Sequence, residues 1–175
     1  MADRWAIVAS KSLSEVSSRE QALVSAVTSG CVVACSELSV EQLATTENPR
    51  YTIRGELIRE LVLGRSGDRL DPLGVRIHGA RITGTLDLTH VPAVVGIELR
   101  GCYFERAVFL TGARLPWLTL SASHIPGLDG DGLRVAGDVA LGGGFTATGQ
   151  GEEGAVRLRG AHISGQLNLN GARLT

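Results

Sequence analysis

The chain has 175 residues, 43% of them apolar, and a formal charge of -1 from 17 basic and 18 acidic residues. That length holds one domain, or one domain with a small appendage, and the apolar content suffices for a continuous core. With neither sign in excess there is no bulk electrostatic drive toward nucleic acid or anionic membranes, so shape and local surface must select any partner.

The first residues, MADRWAIVASKSLSEV, hold only a short apolar stretch, too brief for a signal peptide, and no run of about 18 apolar residues follows. The expectation is a cytoplasmic protein with no transmembrane segment in this chain. Residues 1–72 read as a helical amino-terminal cap region. Ser17 followed by Glu20 spells a capping box, Leu23, Ala26 and Val27 share a face behind it, and Gly30 is a stop signal. Ser39 with Gln42 repeats the signal for a short helix ending before Pro49. Ile53, Leu57, Ile58, Leu61 and Val62 then fall at helical spacing behind Thr52 as N-cap, with Gly64 as stop. Cys31, Cys35 and Cys102 cannot all pair within one molecule, and Cys31 and Cys35 have no second metal-binding pair downstream. They are expected to be reduced and mostly buried.

After Pro72 the grammar changes, because 19 of the 23 glycines lie in residues 73–175, a density that helices do not tolerate. Apolar residues now come in pairs two apart, such as Val75/Ile77, Ala80/Ile82, Leu86/Leu88, Ile97/Leu99 and Cys102/Phe104. Such pairs predict very short strands with one inward face. The second members recur every five or six residues, so that Ile77 to Leu99 spans 22 residues and Leu99 to Leu120 spans 21. Four short faces per turn predict a coil stacked on itself, with backbone hydrogen bonds between turns. Gly79-Ala80, Gly112-Ala113, Gly160-Ala161 and Gly171-Ala172 fall at the corners of that beat. Two stretches, at about 126–132 and 142–154, break it and are expected to be loop excursions.

The coil also writes one phrase twice: VRIHGARITGTLDL from Val75 returns as VRLRGAHISGQLNL from Val156, with eight of fourteen positions identical. Recurrence of this kind marks a stacked repeat fold. The small residue two before a leucine or isoleucine, on a beat of five, resembles the pentapeptide-repeat proteins. That resemblance implies a mainly β architecture, a right-handed quadrilateral β-helix with an N-terminal α-helical cap. The phrases GARITGTLDL, LRGCYF, GARLPWLTLS and GAHISGQLNLNGARL are closer still to a group of actinobacterial repeat proteins described as membrane-associated oxidoreductases. This second resemblance covers residues 53–175 and implies an oxidoreductase, but it brings no catalytic residue with it.

The residues themselves specify no chemistry. HExxH, paired CxxC, GxSxG and GxxxxGK are all missing and no alternating strand and helix pattern marks a dinucleotide fold, so no catalytic, metal or cofactor site is assigned and an enzyme is not the favoured expectation. Asp87 with His90 is the nearest approach to a catalytic pair and reads better as a polar turn. What remains is surface. Outward positions between the apolar pairs include Arg76, Arg81, Tyr103, Arg114, His124, Arg134, Arg157, His162 and Arg173, some of which are expected to align into a rib of arginine and histidine. A solvated face is the plain reading of that rib, and a docking strip for an acidic partner is the functional one.

Three functions follow in order: a protein-interaction or scaffold module, a DNA-mimicking protein acting on type II topoisomerase, and an oxidoreductase. The mimic requires an acidic surface, and residues 73–175 hold 9 basic against 8 acidic residues. The partner's identity is not written in the sequence, and direct nucleic-acid binding is not expected. The final GARLT offers nothing to cover the last coil, which predicts either a head-to-head homodimer through that open coil or further repeats in a longer chain.

Overall fold

A computed structural model describes residues 17–65, 69–149 and 154–175. The reading of the first sixteen residues, and part of the loop expected at 142–154, lie outside the described residues.

Two helices form where their local signals stand. In α1 (Ser18–Ser29) the Ser17 hydroxyl accepts the Glu20 N–H, the Glu20 carboxylate accepts the Ser17 N–H, and Gly30 closes the helix at φ 68°. A second box, Ser39 with Gln42, opens α2 (Val40–Thr45). The third helix departs from its expected start. Thr52 and Ile53 belong to a strand, β2 (Thr52–Arg54), and α3 (Gly55–Val62) begins behind Arg54. Tertiary pairing overrides the helical spacing here, because Ile53 is Cα-paired with Ile82 and is fully buried.

Apart from a 3-10 turn at Pro49–Tyr51, the remaining elements are strands two to four residues long that pair in parallel into four sheets. Sheet A stacks β1 (Val33–Ala34), β3 (Val75–His78), β5 (Ile97–Arg100), β9 (Leu118–Thr119), β13 (Val139–Ala140) and β17 (Leu167–Asn168). Sheet B stacks β2, β4 (Arg81–Thr83), β6 (Tyr103–Phe104), β10 (His124–Ile125), β14 (Thr146–Ala147) and β18 (Arg173–Leu174). Sheet C holds β7 (Val108–Phe109), β11 (Leu128–Asp129) and β15 (Val156–Arg157). Sheet D holds β8 (Arg114–Leu115), β12 (Arg134–Val135) and β16 (His162–Ile163). From β5 onward the chain visits A, B, C and D in turn and then returns to A. The protein is therefore a parallel β-helix-like stack with few helices.

The register carries the beat. Ile77 faces Leu99, Ile97 faces Leu118 and Leu118 faces Val139, all with buried side chains that fill the middle. The corner glycines Gly79, Gly112, Gly160 and Gly171 all have φ between 62° and 75°. Ala122 (φ 57°) and His90 (φ 56°) occupy the same kind of corner without being glycine.

Three boundaries need correction. The coil begins inside the region expected to be purely helical, since β1 and β2 pair with β3 and β4. Residues 126–132 are not a loop excursion: Leu128 and Asp129 pair with Val108 and Phe109 on one side and with Val156 and Arg157 on the other. The polar LDGDG disguises a corner, in which the Asp129 carboxylate accepts the Asp131 N–H and Gly132 turns the chain at φ 66°. Within 142–154, Thr146 and Ala147 keep register as β14, so the extra residues fall between β14 and β15.

Burial fades along the stack. Inward side chains of the middle coils are almost wholly covered, whereas Leu167, Leu169 and Leu174 are 39%, 41% and 47% exposed.

Candidate functional surfaces

The nine outward residues do not form one rib. Arg76 lies on sheet A and Arg157 on sheet C; Arg81, Tyr103, His124 and Arg173 share sheet B; Arg114, Arg134 and His162 share sheet D. Two columns result, because in-register parallel pairing sets one residue directly over the next, about 4.8 Å apart.

On sheet D, Arg134 pairs with Arg114 on one side and His162 on the other. All three are exposed. Among the described residues none of these side chains meets a carboxylate. Like-charged neighbours at this spacing repel, and the column offers no internal relief.

The sheet B column is built differently. The Arg81 guanidinium stands 5.5 Å from the Tyr103 ring centre, and Tyr103 stacks on His124 with centroids 5.4 Å apart and planes inclined by 9°. His124 Nδ1 hydrogen-bonds the Thr146 hydroxyl at 2.9 Å. Arg81 also bonds the Glu105 carboxylate at 2.8 Å and donates to the Leu43 and Ala44 carbonyls at the end of α2. Helix α2 thereby lies along sheet B against β6. Between them runs an open groove of about 460 Å³, whose walls include Glu41, Ala122, Gly144 and Thr146. Burial pushes the His124 imidazole below the ordinary histidine range, and the nearby Glu41 carboxylate opposes this only in part. The Ser39 hydroxyl and the Glu41 N–H hold the Glu41 carboxyl below the usual range.

Elsewhere three outward acidic groups meet arginine. Glu98 faces Arg76, His78 and Arg100; Asp129 meets Arg157; Asp131 meets Arg157 and Arg159. Asp87 accepts the Thr89 N–H at 2.8 Å, so the expected polar turn forms there. Cys35 and Cys102 are buried, while Cys31 is exposed. Among the described residues no cluster of three or more His, Cys, Asp or Glu is placed to hold a metal ion, and no helix is long and apolar enough to cross a membrane.

Glu41 and Thr146 escaped the sequence reading. Glu41 reaches the groove only because the chain leaves the coil between β1 and β2 and lays α2 back over sheet B, a path that no local signal encodes. Thr146 lies in the stretch whose composition reads as a loop, although it pairs with His124 in β14. In comparison with known proteins, the chain matches no family model, no curated protein and no solved structure.

Proposed function

We infer that the chain is a non-enzymatic interaction or scaffold module, built on a right-handed quadrilateral β-helix of the pentapeptide-repeat kind, that docks an acidic protein surface on sheet D. The observation that carries this reading is the exposed Arg114, Arg134 and His162 column, in register and without a carboxylate partner among the described residues. A rigid ladder fixes the backbone spacing of these side chains, so docking has only the side chains themselves to order, which favours recognition of an equally ordered acidic face. Pairing of Glu98, Glu105, Asp129 and Asp131 with arginine supports this reading over a DNA mimic, which needs unneutralised acid.

The test is affinity capture from the source cell with the wild-type chain and with an R114E/R134E variant, alongside duplex DNA binding by both. A protein retained by wild type, lost with the variant and eluted by moderate salt fits the reading. Salt-sensitive DNA binding that the same substitutions abolish would replace it with nucleic-acid recognition.

A further inference from the structure

The sheet B column shows how this protein holds a planar cation. Arg81 lies over the ring of Tyr103 with the Glu105 carboxylate as its counter-ion. Two layers on, the same column presents the other end of the stack. His124 is parallel to Tyr103, and the next residue, Thr146, carries no ring. The stack therefore stops at His124, beside a groove whose corner residues, Ala122 and Gly144, contribute almost no side chain. Glu41 lines the same groove from α2, and among the described residues no cationic side chain lines it.

These features resemble the Arg81 arrangement without its cation: aromatic rings, a carboxylate and space beside them. We propose that the groove between α2 and sheet B binds a guanidinium group, set against the Tyr103 and His124 rings and paired with Glu41. Planarity matters because a guanidinium lies flat on a ring and meets a carboxylate with two parallel N–H donors, whereas an ammonium does neither. A neutral imidazole adds no repulsion toward the incoming cation, in keeping with the burial-lowered basicity of His124.

Two sources present this chemistry, the side chain of an arginine within a peptide and a small free guanidine. The experiment follows the His124 ring protons by NMR in the full chain while N-acetyl-arginine N-methylamide, agmatine or N-acetyl-lysine N-methylamide is added. A saturable shift with either arginine-like probe, and binding at least about tenfold weaker for the lysine probe, is the expected result. Tighter binding of the amide than of agmatine identifies a peptide as the source, and the reverse order identifies a free guanidine. Glu41 is exposed, so Glu41→Gln leaves the fold intact and is expected to weaken binding about tenfold. No shift at tens of millimolar probe, equal binding of the lysine probe, or undiminished binding by E41Q overturns the proposal.

Discussion

The Ser123 hydroxyl accepts the Cys102 N–H at 2.9 Å and donates to the Leu99 carbonyl at 2.8 Å, so a side chain from one coil closes the corner of the coil before it. The matching corner of the next coil closes through backbone, where the Ser123 N–H meets the Leu120 carbonyl. At Leu99 to Cys102 the hydroxyl stands inside the turn, and Ser123 is only 1% exposed. Ser123→Ala strands a buried N–H and a buried carbonyl, for an expected loss of about 1–3 kcal/mol in chemical denaturation. Ser123→Thr, which keeps the hydroxyl, should recover part of it.

Gly79 turns the corner between β3 and β4 at φ 66°, and a Cβ placed there would lie 2.1 Å from the Ser36 carbonyl oxygen. That oxygen belongs to the backbone and has no rotamer by which to move away. Gly79→Ala should destabilise by more than about 2 kcal/mol, read as a lowered urea midpoint. Ala122→Gly makes the opposite case. Alanine is already strained there at φ 57°, and relief of about 1 kcal/mol should raise the midpoint.

The three thiols should separate by reactivity. Burial pushes Cys35 up to about 11 and Cys102 up to about 12, leaving both without thiolate at neutral pH, while Cys31 is exposed. Ellman's reagent should titrate one thiol in the native protein and three after denaturation. Fast modification of a second native thiol would contradict the burial of Cys35 and Cys102.

Glu20 joins α1 to β2. Its carboxylate accepts the Arg54 backbone N–H at 3.2 Å and the Arg54 Nε at 2.8 Å while only 3% of the residue is exposed. Burial opposes the charge, yet the Arg54 side chain and the N–H groups of Ser17 and Arg54 together hold the carboxyl below its ordinary value of 4.5. A group more acidic when folded stabilises the fold above its unfolded value and loses that contribution as pH falls through the folded one. Thermal stability should therefore decline below about pH 4.5, and Glu20→Gln should flatten part of that decline. At pH 7 the same substitution should cost about 2 kcal/mol, because a buried charged acceptor of several N–H donors is lost.

Signals confined to a few residues were legible in the sequence. Ser17 with Glu20, and Ser39 with Gln42, open helices because a capping box is satisfied within four residues. The stacking of Ile77 on Leu99 was legible as well, since the inward pair recurs at a steady interval. Asp129 was misread because an outward carboxylate and a corner glycine look like loop composition until the neighbouring coils supply their partners. Thr52 and Ile53 were misread because the helical spacing behind them is real, and only the distant Ile82 draws them into a strand. The groove was illegible for the same reason: Glu41 and His124 meet through a fold path, not through a motif.

In a stack of this kind each layer ordinarily leans on its two neighbours alone, which makes melting proceed layer by layer from whichever end is weaker. Helix α2 breaks that rule. It leaves the chain between β1 and β2, is held at its end by Arg81 of β4, and rests on β6, so it ties three successive layers with one strap. The layers beneath it should open together, as one cooperative block that resists amide exchange, while those beyond β6 open singly. The molecule is thereby expected to have a clamped half and an unstrapped half, with the proposed guanidinium groove at the seam between them.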